Sequence, residues 1–147
     1  MQIRLMDILA DPDNPDIWPL KLKILREETR EVNTKPFPHK STNLLCKFYC
    51  HKEGKYLVND PLGENEETLS PEEIAEISSL DKCYECIKNE VQDGIIYHDK
   101  NEKRKWFIVF DGIAVMHGKD NRNSRVEGAF FQKYPEIRQK MNLEDIN

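Results

Sequence analysis

Four cysteines fall in two pairs, Cys46-x3-Cys50 and Cys83-x2-Cys86, and they are all the cysteines in the chain. Zinc is held by thiolates gathered in fours, each sulfur about 2.3 Å from the metal. Two pairs carried on separate elements can supply that shell. The spacing departs from the usual C-x2-C turn followed by glycine, because Lys47, Phe48 and Tyr49 separate the first pair and His51 follows it. His51 is therefore an alternate fourth ligand. A shell closed by four thiolates would be structural, stabilising the fold rather than catalysing. The same residues also read as core thiols. Cys46, Phe48 and Cys50 alternate along a strand-like run, and Cys83 and Cys86 extend an apolar stripe through Ile87 and Val91, as buried free cysteines do. A redox or iron–sulfur role is the third reading. Amides in the first turn of a helix are expected to favour thiolate at Cys83 and Cys86.

Basic residues form a second candidate group. Lys100, Lys103, Arg104 and Lys105 lie in the 99–105 loop, and Lys119, Arg122 and Arg125 lie in the 118–125 segment. The second segment enters a helix, whose N-terminal amides can hold an anion, and arginine adds paired donors for phosphate or carboxylate. With Tyr97 and Trp106 nearby, the loops could bind a nucleic-acid strand through charge and stacking. The plain alternative is a pair of solvated tips. Residues 11–16, Asp-Pro-Asp-Asn-Pro-Asp, invite a calcium reading but lack the central glycine and twelfth-position glutamate of an EF-hand loop. They read as a solvated turn. His39, His51, His98 and His117 belong to no nucleophile or metalloprotease signature, and no Gly-rich phosphate loop is present. An enzyme would need a thiol-based or composite site assembled from distant positions.

The elements that must position these residues follow from periodicity and punctuation. Residues 106–118, WFIVFDGIAVMHG, are the most apolar run. Asp111-Gly112 supplies the two positive-φ positions of a type I′ turn, so Phe110 is expected to face Ile113, and Ile108 to face Val115. Both faces are apolar, which places this hairpin at the centre of a sheet. Residues 94–98 add a third strand, completing a meander. Alternation of Leu20, Leu22 and Ile24 with lysines predicts a strand from Trp18, and residues 44–50 and 55–58 predict a second hairpin. Residues 1–10 carry helical spacing. Ser70-Pro71-Glu72-Glu73 is a capping box with proline at the first helical position. A second helix is expected over roughly 82–92, a third opening on a capping box at Ser124 and Glu127, and a short fourth after Pro135.

At 147 residues the chain fits one domain, 1–147, with a connector at about 26–43 and an acidic loop at about 60–70. The expected class is α+β: an antiparallel sheet, made of a β-hairpin and a three-stranded meander, packed with short helices and stabilised by zinc on the metal reading. No run approaches the roughly 20 apolar residues of a membrane span, so no membrane partner is expected and the chain is placed in the cytoplasm. A net charge of -5 argues against broad phosphate binding by the whole surface. The function expected is that of a small intracellular binding or regulatory protein acting through protein–protein contact, with the acidic 60–76 stretch as its contact. The alternative is a nucleic-acid-binding protein using the 99–105 and 118–125 loops. An enzyme with a hidden composite or thiol site is the third reading.

Overall fold

Residues 1–57 and 68–143 are described by a computed structural model, the side chain of Lys119 excepted. Most of the expected acidic loop at 60–70 lies outside the described residues. Among the described residues the architecture is α+β: a four-stranded antiparallel sheet of order β1-β4-β5-β6, a separate two-stranded sheet of β2 and β3, and four short helices. The chain divides into two compact units. The first takes Met1, residues 10–27 and 91–147; the second takes residues 2–9 and 28–90.

In the first unit, β4 (Asn89–His98), β5 (Lys105–Phe110) and β6 (Ile113–Val115) form the meander. Ile108 pairs with Val115, Val109 with Ala114 and Phe110 with Ile113, the register a two-residue turn demands. Asp111 and Gly112 both take positive φ, 49° and 82°, as the turn type requires. The hairpin is not at the centre of the sheet. β6 ends at Val115 and forms the edge, with Ile113 67% exposed, while β4 and β5 hold the buried Ile95, Ile96, Phe107, Ile108 and Val109. One face packs through Ile95, Trp106 and Ile108 on Phe130, Ile137, Met141 and Leu143. Phe130 comes from α3 (Ser124–Lys133) and Ile137 from α4 (Ile137–Lys140). The cap of α3 is Asn123, whose side chain accepts from the Val126 N–H, one residue before the serine expected to do so.

β1 (Lys21–Thr29) runs past Arg26, where a connector was expected. The reason is tertiary: Arg26 reaches the buried Asp93 on β4 at 3.0 Å, which holds this charged stretch in the sheet. β4 likewise begins earlier than expected, because α2 (Lys82–Lys88) stops at Lys88 and Val91 is a fully buried strand residue.

In the second unit a 3-10 turn, Ile3–Asp7, replaces the expected amphipathic helix and buries Ile3 and Met6. Over 44–48 the chain bends instead of running as a strand. Only Tyr49–Cys50 forms β2, paired with Lys55–Tyr56 as β3. α1 (Pro71–Ser79) has the predicted capping box in full: Ser70 accepts from the Glu73 N–H and Glu73 accepts from the Ser70 N–H. Leu44, Cys46, Leu57, Leu69 and Ile77 make the core of this unit.

Candidate metal centre

Two elements of the second unit carry the cysteines. β2 and its approach hold Cys46 and Cys50, and α2 holds Cys83 and Cys86. All four, together with His51, line one cavity of about 270 Å³ whose wall also includes Ile3, Ile77 and Ile87. The pairs that sequence spacing singled out are thus brought to a common space by residues 37 positions apart in the chain, from Cys46 to Cys83. Cys46 is buried and the other three are partly buried, all as free thiols. Among the described residues, no group of three or more His, Cys, Asp or Glu side chains is close enough together to hold a metal ion as it stands. The sulfurs share a cavity without sharing a centre.

The backbone around the first pair is tightly specified. After Cys50 the chain turns through residues 51–54, with Gly54 at φ 65° and its N–H donating to the Cys50 carbonyl at 2.8 Å. The backbone at Glu53 and Lys52 works against the rise that burial imposes on the Cys50 thiol. Before Cys50, the N–H groups of Lys47, Phe48 and Tyr49 donate to the Asp7 carboxylate at 2.8, 2.8 and 2.6 Å. Neither arrangement is visible in cysteine spacing. The signal for Asp7 is a single buried carboxylate in an otherwise apolar stripe.

Electrostatics favour neutral thiols at Cys46, Cys50 and Cys86. Burial, followed by the nearby Asp7 charge, pushes Cys46 far above the ordinary thiol range. Burial raises Cys50 and pushes Cys86 up to about 11. The first-turn amides of α2 therefore do not make Cys86 a thiolate, since desolvation outweighs a dipole from only 7 residues. A neutral thiol is a weak nucleophile, so these three offer no activated group for covalent catalysis. The Nδ1 atom of His51 is buried without a hydrogen-bond partner among the described residues, and burial pulls the imidazole below its ordinary range. It is a neutral nitrogen donor on the same wall.

The basic residues are placed differently from one another. Lys105 is drawn inward onto Asp11 at 2.6 Å and Asp13 at 2.7 Å, with only 11% of its side chain exposed. Arg104 is held by both Asp99 oxygens, at 2.7 and 3.2 Å, and by the Met141 carbonyl at 2.8 Å. Arg122 lies 4.3 Å from the Trp106 ring centroid, donates to the Trp106 carbonyl at 2.7 Å and meets Glu127 at 2.8 Å. Lys100, Lys103 and Arg125 are exposed. Three of the strongest charges expected on a binding surface are thus internal ties of the first unit. The residue 11–16 turn is tied in as well: Asp11 is 1% exposed and its carboxylate meets His98 Nε2 at 2.8 Å. Burial opposes the Asp11 charge, and the hydrogen bonds from Lys105 and His98 outweigh it and hold the carboxyl below its ordinary range.

Fold and site together define an α+β protein with a cysteine-walled cavity in its second unit. Comparison of the chain with protein-family models, with curated proteins and with solved structures finds no match. Among the described residues no helix is long and apolar enough to cross a membrane.

Proposed function

We propose that the chain is a small binding protein whose second unit is closed by a structural zinc ion on Cys46, Cys50, Cys83 and Cys86, with His51 as the alternate donor. The observation that carries this reading is the convergence of both cysteine pairs and His51 on one cavity wall. Binding would draw the sulfurs inward and release their protons, since zinc takes thiolates. With four thiolates around it the ion has no open position for substrate, so its part is to hold β2 against α2. Elemental analysis of protein purified without added metal should give about one zinc per chain, and Cys83→Ser should abolish it. A folded wild-type protein free of metal overturns the reading.

The work of such a protein is contact with another protein. Phe37, 96% exposed between Pro36 and Pro38, is the residue proposed to meet it, because a ring on a stiffened segment costs little to order on binding. A photo-crosslinker at position 37 should trap a discrete protein adduct in cells, whereas one at the exposed Lys140 should not. Identical adduct patterns at the two positions would count against the contact.

A further inference from the structure

In the second unit the run from Val32 to Lys52 carries four lysines and no Asp or Glu, in a chain of net charge -5. Part of that run lines a groove of about 410 Å³, where Pro36, Phe37 and Pro38 meet Leu44, Ile77 and Tyr84. A mostly apolar lining of that volume with a few polar groups is the usual make-up of a binding site. The lining is held in place by its own hydrogen bonds. The Tyr84 hydroxyl donates to the Val32 carbonyl at 2.7 Å, Asn43 Nδ2 donates to Ser78 Oγ at 2.9 Å, and the Asn43 N–H donates to the His39 carbonyl at 2.7 Å. The prolines restrict the backbone on both sides of Phe37. Among the described residues the charged groups of the lining are Lys35 and Asp81, paired at 2.6 Å with more than half of each side chain exposed. An exposed pair of this kind is worth little, so Lys35 can turn to an incoming carboxylate at small cost. Positive charge also surrounds the Tyr84 ring, with the Lys35 and Lys88 ammonium groups 5.7 and 4.7 Å from its centroid.

We propose that this groove docks an acidic segment of a partner protein, taking one aromatic side chain against Phe37 and Tyr84 and a neighbouring carboxylate at Lys35. The proposal rests on the protein-contact reading above and not on zinc. Burial of the aromatic ring supplies the affinity, and rings meeting edge to face or offset add to it. The acid-free run supplies the selectivity, since like charge disfavours a basic partner and opposite charge draws in an acidic one. Because the lining is already fixed, little ordering of the groove opposes binding. A nucleic-acid strand fits less well: the lining offers its phosphates one lysine, with the Asp81 carboxylate directly beside it.

Amide NMR titration of the full chain with two capped peptides tests this, one with tryptophan set between glutamates and the other with tryptophan set between lysines. The glutamate peptide should shift the amides of Phe37, Leu44, Asp81 and Tyr84, and the lysine peptide should bind about tenfold more weakly. Phe37→Ala, at an exposed position that the fold does not need, should weaken the glutamate peptide about tenfold. Lys35→Glu should reverse the order of the two peptides, whereas Lys140→Glu, the same change of charge in the first unit, should leave both within about twofold. Equal binding of the two peptides, equal effects of Lys35→Glu and Lys140→Glu, shifts that miss the groove, or no shift up to the solubility limit each overturn the docking. A single-stranded oligothymidylate that shifts the groove amides at lower concentration than the glutamate peptide overturns it as well. None of these results bears on the adduct trapped at position 37 in cells, so the protein-contact reading stands or falls separately.

Discussion

Asp93 has no exposed side-chain surface, yet it is among the most heavily engaged charges in the first unit. Arg26 Nε donates to it at 3.0 Å, Lys133 Nζ at 2.7 Å and the Asp111 N–H at 3.1 Å, and the Tyr134 hydroxyl adds a short hydrogen bond. Burial alone would raise its carboxyl; the bonds from Lys133, Tyr134 and Arg26 outweigh burial and hold it well below the ordinary 3.8. A carboxyl with a lower value in the fold than in the unfolded chain binds fewer protons when folded. Its stabilisation is present above about pH 4 and is lost as the pH falls through the folded value. Chemical denaturation at pH 7 and pH 3 should therefore show a loss of stability at the lower pH that is smaller in Asp93→Asn. Removing the carboxylate also strands Arg26, Lys133 and Tyr134, so Asp93→Ala should cost about 3 kcal/mol at pH 7. A cost under about 1 kcal/mol would mean that solvent replaces the carboxylate at those donors.

At the scale of elements, Gly94 of β4 lies tight against β1. A Cβ there would lie 2.7 Å from the Lys23 carbonyl of β1, a backbone atom that cannot move without shifting the strand. Gly94→Ala should destabilise the first unit by about 2 kcal/mol, the usual cost of overpacking a tight site, seen as a lower denaturation midpoint. Gly112 presents the complementary case, needed for its φ of 82° in the β5–β6 turn. In the second unit α1 depends on its capping box, and Ser70→Ala should cost about 1 kcal/mol. Helix content measured by circular dichroism should otherwise be retained.

At the scale of the whole molecule, the zinc proposal makes the stability of the second unit depend on metal. A strong chelator should release the ion and remove amide-exchange protection from the core around Leu44, Leu57 and Ile77. Protection should persist at Ile95, Trp106 and Ile108, which belong to the core of the first unit. Uniform loss across both cores would show that metal does not act through the cysteine cavity. Readdition of zinc at lower pH should restore protection less completely, because each bound thiolate must first give up its proton.

What the amino-acid sequence determined by itself was local. The register of β5 on β6 follows from Asp111-Gly112 and the apolar runs beside it, and the start of α1 follows from Ser70, Pro71 and Glu73; each is decided by neighbours within a few residues. The α+β class was legible for the same reason, since it rests on period and punctuation. The tertiary structure alone decided where the charges go. Arg26 extends β1 because Asp93 waits on β4, Lys105 and Arg122 turn inward because Asp11 and Trp106 receive them, and Asp7 reaches the amides of residues 47–49 across some forty positions of sequence. A buried charge is stable only with its partner, and a partner distant in the chain leaves no periodic mark beside it.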